Sequence, residues 1–186
     1  MIISDVNPPS ELKLPQLYSW DSHTLSASGR MLLLGLAATP SIVLAEMAKS
    51  TMIVFNTHVQ ASGGISHVVL SPDDNKKYAI TPDDLGRVRF ACAPPVFVAS
   101  YSLPSIAAAY SWYDSLSVPG ALLSSGSGPV FAALSPPPEG EGSQFLAMLL
   151  DRMHEKYPPA VLLRDVRMIW LQEKKGDWVK DVVLFE

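Results

Sequence analysis

Apolar runs, helix-opening signals and further apolar runs succeed one another three times along the chain, the grammar of β-α-β units. In the first, Met31-Leu32-Leu33-Leu34 has no polar interruption, which predicts a strand covered on both faces and central in its sheet. Thr39 before Pro40 predicts a helix start, because threonine is a good N-cap and proline at the first helical position gives up only an amide that had no partner. Ile42, Val43, Ala45 and Met47 carry that helix to about residue 49. Thr51 to Val59, rich in β-branched and aromatic residues, reads as the next strand.

The second unit predicts a strand over Pro95-Val96-Phe97-Val98, a helix over 104–114 and extended chain again from Leu116 to Val118. Pro104-Ser105-Ile106 with Ala109 matches Pro40-Ser41-Ile42 with Ala45, either a chance likeness of two helix openings or an internal duplication. In the third, Val130 to Leu134 is a strand, and Ser135 to Gly142 breaks it. Ser143 then caps a helix over 143–157. Leu146, Leu149, Leu150, Met153 and Tyr157 form its apolar stripe, and Pro158-Pro159 ends it ahead of a strand from Val161.

Antiparallel additions are expected at two places. Gly63-Gly64 suits a two-residue hairpin turn, and the implied register puts Gln60 opposite His67 and His58 opposite Val69, with both histidines on one face as diagonal neighbours. Residues 65–92 continue as a meander through the turns Ser71 to Lys77 and Thr81 to Asp84. In it Val88, Phe90 and Cys92 point inward and Arg87 and Arg89 outward, which makes Cys92 a buried structural thiol. The tail from Val161 to Glu186 reads as a long hairpin about Lys174-Lys175-Gly176-Asp177, with Val166, Met168 and Trp170 on one face. The expected fold class is therefore α/β: a single layered domain over residues 30–186, its mixed sheet built from β-α-β units plus antiparallel hairpins. An N-terminal arm over residues 1–29, marked by Pro8, Pro9 and Pro15, lies across the domain or a neighbouring subunit.

Composition narrows the role more than it defines one. Hydrophobic residues make up 48% of the 186 and charged residues only 17%, far from the polar composition of disordered chains. A net charge of −4 supplies no basic footprint, so no nucleic-acid partner is expected. No apolar run is long enough to span a bilayer, and residues 1–5 lack the pattern of a secretory signal. Cys92 is the only cysteine, which fits a reducing compartment, and a cytoplasmic location is expected.

Open sheets of this type bind ligands beyond the carboxyl ends of their strands, so the loops Leu36 to Thr39, Ser100 to Leu103 and Ser135 to Gly142 are the expected ligand loops, each leading into a helix N-terminus. The polar residues found there for chemistry include Thr39, Ser100, Tyr101, Ser102, Glu139 and Glu141, with no His, Lys, Arg or Asp to serve as base or anion clamp. The weak catalytic candidates are therefore His58, His67 and Ser102, and no cofactor or metal-binding pattern is read. His23, in a polar patch, reads as a solvated loop residue. A positive mean hydropathy of +0.19 points instead to apolar surface and a protein partner or self-association. The first expectation is a non-catalytic interaction, assembly or structural subunit. The alternative is a small-molecule-binding protein or enzyme with its site at the helix N-termini.

Overall fold

Eight strands form one mixed sheet in a computed structural model that describes residues 1–14, 17, 31–62, 65–101, 117–153, 157–173 and 175–186. They are β1 (Ile2–Ser4), β2 (Leu32–Leu34), β3 (Ile53–Ser62), β4 (Ile65–Val69), β5 (Ala79–Ile80), β6 (Val96–Tyr101), β7 (Val130–Ala133) and β8 (Val182–Phe185). The main order is β2-β1-β3-β6-β7-β8, parallel from β2 to β7 and closed by antiparallel β8. Five α-helices accompany them among the described residues: α1 (Pro40–Met47), α2 (Pro82–Gly86), α3 (Val118–Ser124), α4 (Glu141–Met153) and α5 (Pro159–Gln172).

The inner strands are apolar on both faces, and successive residues feed two separate cores. Ile3, Phe55, Val98 and Ala132 pack with Val43 and Met47 of α1, Leu85 of α2 and Leu122 of α3. Ile2, Val54, Phe97 and Phe131 pack with Phe145 and Leu149 of α4 and with Leu163, Val166 and Trp170 of α5. The result is a layer of helices on each side of the sheet, which confirms the α/β class and the mixed sheet expected from the pattern.

Placement of the elements differs from expectation in several ways. The Met31–Leu34 run supplies the edge strand β2, with Met31 and Leu34 exposed, because residues from the supposed N-terminal arm form β1 and take the inner position. Ile2–Ser4 pairs on both sides, Ile2 with Leu32 and with Val54. Thr81-Pro82-Asp83-Asp84 opens α2 as a capping box: the Thr81 hydroxyl receives the Asp84 amide and the Asp84 carboxylate receives the Thr81 amide at 2.9 Å. That helix replaces the end of the meander, and Cys92, beyond it and outside any strand, is exposed rather than buried.

Residue 118 likewise begins helix rather than extended chain, because Ser117 caps α3 through the Gly120 amide at 3.0 Å. α4 starts at Glu141, ahead of Ser143, and its stripe ends at Met153, leaving Tyr157 exposed. Pro159 opens α5 where a strand was expected. Leu162, Leu163, Val166 and Trp170 are buried at helical spacing and Met168 faces out. β8 therefore finds its antiparallel partner in β7, Phe131 opposite Leu184, rather than in the tail itself. The 104–114 helix and its repeated Pro-Ser-Ile lie outside the described residues.

A candidate ligand crevice at the strand-order reversal

The chain leaves β1 for β2 on one side and returns to β3 on the other, so strand order reverses at β1. At such a point the connections diverge to opposite sides and leave an opening beyond the carboxyl ends of the strands. Here strand lengths deepen it. β1 stops at Ser4, whereas β3 runs on to Ser62 and has the same edge covered by β4 only from Val59. Asn56, Thr57 and His58 fall in the interval. Asp5, with φ of 52°, turns the chain out of the sheet. The crevice so formed measures about 440 Å³, and its described lining is Asp5, Val6, Asn7, Pro8, Leu14, Leu17, Asn56 and His58.

Buried polar groups hold its walls. Asn56 donates through Nδ2 to the Ser4 hydroxyl at 2.9 Å, tying β3 to the end of β1. The Thr57 hydroxyl donates to the Val69 carbonyl, tying β3 to β4. Ser71 is fully buried and joins three segments: its hydroxyl accepts the Asn7 amide at 2.7 Å and donates to the Gly35 carbonyl at 2.8 Å, and its amide donates to the Ala38 carbonyl at 3.1 Å. The β3–β6 pairing also shifts between Phe55 and His58, so three steps along β3 match two along β6, Phe55 facing Val98 and His58 facing Ser100. Such a bulge re-aims the side chains that follow it.

Of the sequence candidates, His58 lines the crevice and is buried. His67 sits opposite Gln60 in the expected register but is not among the lining residues, and no hydrogen bond joins it to His58. Burial holds the His67 imidazole below its usual pKa of 6.5, against a backbone hydrogen bond at Ile65 that works the other way. A histidine that resists protonation only when folded binds fewer protons in the native state, so stability falls as pH drops below about 6.5. Urea melts between about pH 7.5 and pH 5.5 should show wild type losing stability relative to His67→Gln as the pH falls. Parallel curves would exclude this coupling.

Ser102 and His23 lie outside the described residues. Ser100 is buried with a hydroxyl that has no hydrogen-bond partner among them. At two of the three expected helix N-termini a side-chain hydrogen bond brings in a carboxylate of the chain itself, and the third, at residue 104, lies outside the described residues. Ser41 in the first turn of α1 donates to Asp73 at 2.8 Å, and Glu141 at the start of α4 receives the Trp178 indole N–H at 2.6 Å. Among the described residues no group of three His, Cys, Asp or Glu is placed to hold a metal ion.

Asp5, Asn7 and Asn56 were not singled out from sequence. The signal was present in Asn56-Thr57-His58, three polar residues directly after the apolar Ile53-Val54-Phe55 of one strand. The described lining offers amide donors and acceptors, an imidazole and a carboxylate beside Val6, Pro8, Leu14 and Leu17, with no lysine or arginine among these residues. These residues can hydrogen-bond an uncharged or basic group against an apolar wall, and none of them is a cation that would hold a phosphate. Comparison with known proteins finds no family model and no curated protein that matches the chain.

Proposed function

We propose that the protein binds a small uncharged or weakly basic ligand in the crevice beyond the carboxyl ends of β1 and β3. One observation carries the reading: an opening of about 440 Å³ coincides with the strand-order reversal and with the buried polar pair Asn56 and His58. Its volume falls in the range of small-molecule sites, roughly 300–1,000 Å³. Amide NMR with a fragment set containing neutral, cationic and anionic compounds tests it. Neutral and cationic fragments should shift Asn7, Asn56 and His58, and His58→Ala should retain the fold and lose those shifts. Shifts confined to other surfaces, or a preference for anionic fragments, would refute the proposal.

A second reading, contact with another copy of the chain, is favoured by the β2 edge. β2 pairs only with β1 among the described residues, and Met31, Leu34 and Leu36 are exposed along it, Leu36 at 74%. Open apolar edges invite strand pairing between chains. Light scattering should then give a mass above 20.2 kDa that Leu36→Lys lowers to the monomer value. Among the described residues no helix is long and apolar enough to cross a membrane. An exposed single thiol at Cys92 agrees with a cytoplasmic setting, where reducing conditions keep such thiols from pairing between chains.

A further inference from the structure

At the far end of the sheet from β2, strand β8 pairs only with β7 among the described residues. The Leu134 amide donates to the Asp181 carbonyl at 3.0 Å, which fixes the hydrogen-bonding parity of this antiparallel pair. Residues 181, 183 and 185 turn their backbone groups to β7, and Leu184 turns its N–H and C=O to the open side. α5 overhangs this edge. Ala160, Leu163 and Arg167, at helical spacing on one face, enclose with Lys180 and β8 a groove of about 510 Å³.

The groove's charge is one-sided. Both charged residues of its described lining, Arg167 and Lys180, are cationic. Lys180 lies 3.4 Å from Asp177 on the exposed surface. Arg167 is half-buried, donates its Nε to the Val179 carbonyl at 2.9 Å, and has no carboxylate partner among the described residues. Burial pulls its pKa below the ordinary arginine value. A partly desolvated guanidinium without an anion is costly, and its planar fork matches a carboxylate.

We propose that the β8 edge docks an acidic extended segment of another protein, which adds as a strand beside Leu184 and sets a carboxylate against Arg167. Main-chain bonds supply affinity in this mode, and side chains alternating between the two faces supply selection. A strand with every second residue acidic can place all its carboxylates on the α5 side while its apolar residues cover the other face.

The test uses the full chain and two labelled, end-blocked octapeptides, one alternating valine with glutamate and one alternating valine with lysine, followed by fluorescence anisotropy. The glutamate peptide should bind at least about tenfold more tightly, and Arg167→Gln should remove most of that difference. A glutamate peptide N-methylated at every residue, which has no backbone N–H to donate from either edge, should not bind to the unaltered protein. Equal binding of the two peptides, no binding of either, or undiminished binding of the N-methylated peptide would each overturn the proposal. Unchanged preference in Arg167→Gln, with the melting temperature preserved, would do the same.

Discussion

Trp170→Ala should destabilise the protein by about 3–5 kcal/mol, the usual range for truncating a buried tryptophan, while Met168→Ala should change stability little. Trp170 is fully buried on α5 and meets Phe145 edge-on at 5.5 Å and Trp178 edge-on at 6.2 Å. Its indole N–H donates to the Gly176 carbonyl at 3.0 Å, so truncation removes a hydrogen bond as well as a large apolar contact. Met168, two residues earlier, is 52% exposed. The contrast separates helix from strand, because a strand over this segment would bury both residues on one face. Urea melts that show equal losses for the two variants would contradict α5.

Ser71→Ala should cost about 0.5–1.5 kcal/mol for each hydrogen bond removed, and two part-buried ones depend on this hydroxyl. The Asn7 amide and the Gly35 carbonyl lose their partner together, although the Ser71 amide keeps its bond to Ala38. The loss should be local as well as global. Asn7 lines the crevice, so its amide resonance should broaden or shift in Ser71→Ala, and fragment binding should weaken. Ser127→Ala is the control, since that hydroxyl bonds only within its own loop, to the Gly128 carbonyl at 3.0 Å. A Ser71→Ala protein as stable as wild type would show that the three-way junction contributes nothing.

Long periodic segments and turn chemistry were legible in the sequence, and elements whose identity depends on distant partners were not. Thr39-Pro40 marked α1, and the β3–β4 register read from the sequence is the one that places Gln60 opposite His67, the Gly63-Gly64 turn itself lying outside the described residues. Three residues such as Ile2–Ser4 carry no periodicity of their own; only the two neighbours they insert between make them an inner strand. Misplacing them hid Asp5 and Asn7, and with them most of the crevice. The α5 error has a different source. Val166, Met168 and Trp170 alternate as a strand would, but Leu162, Leu163, Val166 and Trp170 also satisfy a helix, and Pro159 at its first position favours the latter. Helix N-termini were sound candidates for anion binding in general, yet Asp73 and Glu141 of the chain itself sit at two of them.

The inner position of β1 also orders events during synthesis and local opening. Ile2 finds one partner in Leu32 and the other in Val54, so β1 waits about fifty residues of further synthesis before both its edges can pair. Once folded, its ladder extends over three residues, against four or more in β3, β4, β6, β7 and β8. Cooperative units held by few backbone bonds open at lower free energy than the rest of a domain. Amide hydrogen exchange at Ile3 should therefore run ahead of exchange at Phe97 and Phe131, and a ligand seated against Asp5 and Asn7 would slow it without touching β1 itself.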